Sequence, residues 1–154
     1  PERVRKLAIH GAYIMTPEER AERLRQIDKS GASTVKPDGS HLAAAYVGRS
    51  KLHGSPEDSE AVMRYVVDGL RVRGPRWYGI YAVYTYDQAA ALARVTHPTL
   101  LLANDGDQVF ESTKQAHALR PDFTYVELAG GTVDIQDQQP QEWVDAITAF
   151  LRRG

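Results

Sequence analysis

The stretch that decides the fold class runs Pro98-Thr99-Leu100-Leu101-Leu102-Ala103-Asn104-Asp105-Gly106-Asp107. Its apolar first half lies between a proline and a group of turn-forming residues, which predicts a short strand. The apolar residues are consecutive instead of alternating, and this is typical of a strand covered on both faces, as in a parallel sheet. The strand is predicted to end in an acidic turn, because Asn, Asp and Gly all favour turns.

The residues that follow this strand repeat the same kind of unit. A second apolar run, Phe123–Leu128, leads into the glycine turn Gly130-Gly131, and Pro140 then opens an amphipathic closing helix. From Val95 to Leu151 the predicted order is strand, acidic turn, helix, strand, glycine turn, helix. The closing helix carries a stripe that predicts core packing, made of Trp143, Ile147, Phe150 and Leu151.

A third strand is predicted near the start of the chain. Leu7, Ala8 and Ile9 form a continuous apolar run within residues 4–10. Since helices connect the strands, the three favour a parallel α/β layer. A sheet this small has an open edge whose backbone groups seek a partner. We therefore expect the strand at 4–10 to pair with material outside this chain.

The middle of the chain is predicted to be helical. Thr16-Pro17-Glu18-Glu19 has the features of a helix start, with Glu19 completing a capping box, and Gly31 is a plausible stop before a polar loop over 31–40. Further helices are predicted over 42–47, after Ser55-Pro56 and from Asp87 to Val95, whereas periodicity leaves the type of the tyrosine-rich segment 77–86 open. In the second of these, one face groups Val62, Met63, Val66, Val67 and Leu70.

Composition sets limits on the class of protein. A chain of 154 residues fits one domain, and its 42% apolar and 25% charged residues are ordinary for a globular protein. A net charge of −1 with mixed signs argues against a nucleic-acid or membrane surface. No apolar run approaches the roughly 18 residues of a membrane span, no signal-peptide pattern opens the chain, and we expect a cytoplasmic protein. Cysteine is absent, which excludes disulfides, thiolate metal sites and a cysteine nucleophile.

The order of elements resembles the C-terminal part of a capped α/β-hydrolase of the esterase, lactonase or epoxide-hydrolase kind. The resemblance covers residues 1–14 and 87–151 well and fades in the middle. It implies an α/β fold in which residues 1–14 and 84–154 form the C-terminal half of the core and residues 15–83 an inserted helical cap. It also implies that the nucleophile and oxyanion hole belong to a companion segment preceding Pro1.

Asp107 is the strongest candidate for a catalytic residue. It follows the predicted strand at its carboxyl end, where functional groups collect in open α/β sheets. The resemblance places it at the triad acid, the group that orients and stabilises the catalytic imidazole. Asp105 competes for that role, and a plain turn would also explain the tetrapeptide 104–107.

The position of the triad histidine departs from the family pattern. After Gly130-Gly131 the chain reads Thr132-Val133-Asp134, and no histidine occurs beyond His117. The resemblance leaves Thr132 or Val133 at the histidine position, and neither can transfer a proton near neutral pH as imidazole does. The nearest approach to a Gly-x-Ser-x-Gly nucleophile motif is Gly48-Arg49-Ser50-Lys51-Leu52, whose last position is wrong.

Further candidates would contact a substrate. His10 ends a predicted strand and could face the site or substitute as a base, although a hydrogen-bonded strand-end histidine is the simpler interpretation. Val109 follows the acidic turn and is a second candidate. The last candidates are aromatic residues that would cluster if their segment is a helix. Such a cluster would either line a substrate pocket or pack the cap against the core. Its members are Trp77, Tyr78, Tyr81 and Tyr84. The scattered histidines lack metal-ligand spacing, so we expect neither metal nor cofactor.

Three functions remain open. The first is a hydrolase of a small apolar ester, lactone or related substrate, completed by the companion segment and possible as a homo-oligomer. The second is a non-catalytic protein that binds a small ligand on the same fold, since fold does not imply function. The third is an autonomous structural or regulatory domain of 17.1 kDa, which the open strand edge disfavours.

Overall fold

The computed structural model describes residues 3–27, 35–54, 58–72, 74–75 and 77–153. They divide into two compact units, an α/β unit of residues 1–16 and 87–154 and a helical unit of residues 17–86. The elements are, in order, β1 (Leu7–His10), α1 (Pro17–Gln26), α2 (Ser40–His53), α3 (Ser59–Leu70), α4 (Trp77–Thr85), α5 (Gln88–Ala93), β2 (Thr99–Asn104), α6 (Phe110–Leu119), β3 (Thr124–Leu128), α7 (Ile135–Gln138) and α8 (Pro140–Arg152).

The α/β unit contains a parallel sheet in the order β1-β2-β3, which confirms the predicted fold class. Leu7 pairs with Thr99, and Leu100 pairs with Thr124. β1 is shorter than the predicted strand over 4–10. The pairing begins where the Leu7 N–H donates to the Pro98 carbonyl at 3.0 Å. It cannot extend further back in register, because Pro98 has no N–H for the next ladder bond.

Both faces of β2 are covered, and every one of its residues is buried. On one face, Leu101 belongs to an apolar cluster with Ala12, Leu92, Ala116 and Phe123. On the other face, Leu100 and Leu102 pack with Phe150 of α8, joined by the half-buried Trp143 and Ile147. The continuous apolar run and the stripe of the closing helix therefore have the packing predicted from their sequence.

Local signals mark the helix ends in both units. The Asp87 carboxylate accepts the Ala90 N–H at 3.0 Å and begins α5 as expected. In the helical unit, the Asp58 carboxylate does the same for α3 with the Ala61 N–H at 3.2 Å. α2 is longer than the predicted 42–47, because it continues to Gly54, whose left-handed φ of 76° lets its N–H close the helix on the Ser50 carbonyl.

In the helical unit, α2 packs against α3 and α1 against α4. α3 buries Val62 and Val66. Met63, Val67 and Leu70, predicted on the same face, are about half exposed. The predicted stop at Gly31 and the start at 55–56 lie outside the described residues. Across the described part of the chain, no helix has the length and apolar character needed to span a bilayer.

Candidate active site

The carboxyl ends of the three strands carry the candidate site. β2 ends at Asn104, and the chain turns through residues 105–109 before α6 begins at Phe110. The turn is closed at both sides of Asp107, whose N–H donates to the Asn104 carbonyl at 3.1 Å and whose carbonyl accepts the Phe110 N–H at 3.0 Å. The backbone that carries the candidate acid is therefore tied to β2 and to the first turn of α6.

The Asp107 side chain is anchored through only one of its two carboxylate oxygens. Oδ1 accepts the Val109 N–H at 3.1 Å, an Asx turn that fixes the carboxylate. Oδ2 forms no hydrogen bond with any described residue. Since the side chain is also partly exposed, it presents one anchored and one available carboxylate oxygen, which is what a hydrogen-bond acceptor for a second group requires.

The end of β1 lies close to Asp107. Gly11 follows the last residue of β1 and has a φ of 71°. A Cβ at Gly11 would lie 3.1 Å from Val109 Cγ2 and 3.5 Å from Asp107 Oδ2. Both the left-handed backbone and the crowding favour glycine here. Val109, one of the predicted substrate contacts, is thus a half-buried neighbour of the β1 end.

The acidic turn is bound to the glycine turn that follows β3. The Gly130 N–H donates to Asp105 Oδ1 at 2.5 Å, and the Asp105 N–H donates to the Leu128 carbonyl at 3.3 Å. Asp105 is the competing candidate for the acid. The bond from the Gly130 N–H uses Oδ1 of its carboxylate to hold the two turns together. The anchored oxygen of Asp105 therefore binds the neighbouring turn, whereas that of Asp107 binds within its own turn.

Asn104 connects all three strand ends. Its side chain is completely buried. Nδ2 donates to the carbonyls of Gly130 at 3.2 Å and Thr132 at 3.1 Å, and Oδ1 lies 2.9 Å from His10 Nε2. Sequence reasoning assigned no role to Asn104. One feature of the sequence could have indicated its role: Asn104 is a lone polar residue at the end of an otherwise apolar strand. A buried polar side chain must find hydrogen-bond partners.

Thr132 and Val133, which the family resemblance matched to the histidine position, follow the glycine turn. The Thr132 N–H and Oγ1 both reach Gln138 Oε1, at 2.7 and 3.2 Å, so the hydroxyl is committed to the short α7. Oγ1 also accepts the Asp134 N–H at 3.3 Å. Val133 is partly exposed and apolar. Neither side chain offers a group that transfers protons near neutral pH.

The aromatic candidates belong to the helical unit. Trp77 meets the rings of Tyr78 and Tyr81 edge to face, with centroids 4.6 and 5.8 Å apart. Tyr78 and Tyr81 are 58% and 42% exposed, whereas Trp77 and Tyr84 are half buried. The structure therefore brings three of these rings together as a cluster. Ser50, of the imperfect nucleophile motif, lies within α2 and not on a strand-to-helix elbow.

Comparisons with known proteins identify the fold. No protein-family model matches the chain, and no curated protein matches it in sequence. Solved structures do match. A bromoperoxidase from Bacillus anthracis superposes with a TM-score of 0.63 at 19% identity, over 97% of this chain and 59% of that one.

Two further matches are similar in extent. An enol-lactonase from Burkholderia xenovorans has a TM-score of 0.68 at 18% identity, over 97% of this chain and 57% of its own. An esterase from Rhodococcus has a TM-score of 0.62 at 20% identity, over 97% of this chain and 56% of the esterase. The chain thus has the fold of part of an α/β-hydrolase and spans less than three fifths of the length of these structures.

Proposed function

We propose that this chain is the C-terminal portion of a hydrolase that acts on a small apolar ester, lactone or related substrate, with Asp107 as the triad acid. The observation that carries the proposal is the state of its carboxylate at the end of β2. Val109 N–H anchors Oδ1, and Oδ2 is available beside Gly11. A triad acid needs that combination, because it must keep its own position while accepting an N–H from imidazole.

In this proposal the remaining catalytic parts come from the companion segment. It would supply the nucleophile and the oxyanion hole and would pair with the free edge of β1. The similar structures, of which this chain spans 56–59%, include an esterase and an enol-lactonase by name, which supports a substrate of the ester or lactone class. The helical unit would serve as the cap, with the ring cluster at Trp77 as an apolar contact for substrate.

The substituted histidine position supplies the sharpest test. In full-length protein that carries the companion segment, Val133→His should raise kcat/KM for a p-nitrophenyl ester by about 10²-fold or more, because a positioned general base contributes about 10²–10⁴. Adding Asp107→Asn to that variant should abolish the gain, since the acid would no longer hold the new imidazole. Thr132→His tests the other position that the resemblance matches to the histidine, and Val133→Ala is the matched control.

A non-catalytic binder on the same fold is the alternative, favoured by the commitment of the Thr132 hydroxyl to Gln138. Under this alternative, the full-length protein retains a small apolar ester without cleaving it. Neither Val133→His nor Thr132→His would then raise hydrolysis. That result, in a protein whose nucleophile is intact, would refute the triad assignment of Asp107.

A further inference from the structure

The side-chain amide of Asn104 has only one workable orientation. Its nitrogen donates to two backbone carbonyls, those of Gly130 and Thr132, at 3.2 and 3.1 Å. Turning the amide over would bring Oδ1 against both carbonyl oxygens in a fully buried position, where unpaired acceptors are costly. Asn104 Oδ1 must therefore point away from the glycine turn, toward β1.

This orientation determines the protonation of His10. Asn104 Oδ1 can only accept, and His10 Nε2 lies 2.9 Å from it, so Nε2 carries a hydrogen. The neutral ring then has its lone pair on Nδ1. Among the described residues, Asn104 is the only hydrogen-bond partner of the His10 ring. Trp143 packs against the ring edge to face at 6.3 Å and limits its rotation.

His10 also has the right place in the sheet. It is the last residue of β1, an edge strand, and the next residue, Gly11, lies beside Asp107 Oδ2. A parallel strand added at the free edge of β1 would end next to His10. The other four of the five histidines stand elsewhere: His41 and His53 in α2, His97 before the start of β2, and His117 in α6, stacked on Tyr125.

We propose that His10 transfers the protons that Thr132 and Val133 cannot, with Asn104 as its positioning residue in place of a triad acid; this inference rests on the proposed hydrolase activity and its companion nucleophile, and not on the role of Asp107. Nδ1 takes the proton of a hydroxyl nucleophile from the companion segment while the nucleophile's oxygen bonds to the ester carbonyl carbon. The resulting imidazolium gives that proton to the leaving alkoxide as the C–O bond breaks. Water then repeats both steps to release the acid. Throughout, Nε2–H remains donated to Asn104 Oδ1.

The first test is kinetic and uses full-length protein with a p-nitrophenyl ester. His10→Gln keeps an N–H that can reach Asn104 but removes the base, so kcat should fall by about 10²-fold or more with KM little changed. Imidazole in the buffer should partly restore activity to His10→Ala. His97→Gln, which alters a histidine at the opposite end of β2, should match the parent protein.

The second test does not depend on activity. Nitrogen NMR of the histidine rings should show the neutral His10 ring protonated at Nε2, and Asn104→Ala should allow the other tautomer. A ring protonated mainly at Nδ1 would overturn the inference. A kcat in His10→Gln equal to that of the wild type would also overturn the inference. If Val133→His were active in that case, the proposed function would stand without the inference. If no variant hydrolysed the ester, both the inference about His10 and the proposed function would be refuted.

Discussion

The backbone of Gly106 lies directly against the carbonyl of Gly131, so that a Cβ on Gly106 would stand 1.7 Å from the Gly131 oxygen. The first residue belongs to the turn that carries Asp107 and the second to the turn that carries position 133. Their contact fixes the distance between the acidic turn and the glycine turn. The candidate site is therefore built on two loops held rigidly together by backbone packing.

Gly106→Ala should destabilise the protein strongly. The added methyl group meets a backbone carbonyl that cannot turn aside, so the two turns must separate, and we expect a loss of at least about 2 kcal/mol in the free energy of unfolding. Urea denaturation measures it. The control is Gly48→Ala, because Gly48 lies within α2 with open space around it and should gain about 0.5–1 kcal/mol. Equal stabilities for the two variants would contradict the close approach.

Asn104→Ala should also reduce stability, through its hydrogen bonds. It removes the partner of His10 Nε2–H and a donor to the Gly130 carbonyl, and each buried group left unpaired costs about 1–3 kcal/mol. We expect a loss of about 2–4 kcal/mol in the same denaturation experiment. Gln136→Ala, at an exposed position of α7, should have no measurable effect. A loss as small as that of the control would mean that the network contributes nothing.

Lys6 should stabilise the end of the closing helix. Its ammonium donates to the carbonyls of Phe150 and Leu151, at 3.3 and 2.9 Å, and to that of Arg153. A cation at a helix C-terminus is favourable, so Lys6→Met, which keeps the alkyl chain, should cost about 1 kcal/mol. Lys36→Met, at an exposed site before α2, is the control. The difference between the two should shrink in high salt, because screening weakens the interaction.

Tyr125 should make stability depend on alkaline pH. Burial of its hydroxyl, and then its hydrogen bond to Glu127 at 2.9 Å, raise the pKa of Tyr125 from 10.0 to about 12. Between these values the unfolded chain has lost the proton and the folded chain has kept it. This contribution is complete below pH 10 and is lost as the pH rises toward about 12. Tyr125→Phe should therefore show a shallower fall in unfolding free energy over that window, measured against the parent protein. Parallel curves for the two proteins would contradict the raised pKa.

Much of the α/β unit could be predicted from local sequence. The unbroken apolar run of β2 indicated a strand covered on both faces, and the cap at Asp87 and the start of α8 at Pro140 are as predicted. These features depend on neighbouring residues, so the sequence carries them directly. The limits of α2 and β1 were misjudged, because Gly54 and Pro98 decide them through particular backbone bonds.

The candidate site could be predicted only in part. The position of Asp107 after a strand pointed to a functional carboxylate, but its two oxygens are distinguished only by Val109 and Gly11. Asn104 had no assigned role, since its partners lie 94 residues before it at His10 and 26 and 28 residues after it at Gly130 and Thr132. No local periodicity records bonds over such separations.

The order of amino acids by itself determined which segments are strands and helices, where the acidic and glycine turns fall, and that no histidine follows the glycine turn. Those properties follow from apolar periodicity, capping residues and side-chain chemistry. The tertiary structure alone decided that Gly106 meets Gly131, that Asp105 binds the glycine turn while Asp107 binds within its own turn, and that Asn104 lies within hydrogen-bond distance of His10. The reason is that parallel strands bring distant residues to one edge, where buried polar groups must pair with whatever the register places opposite them.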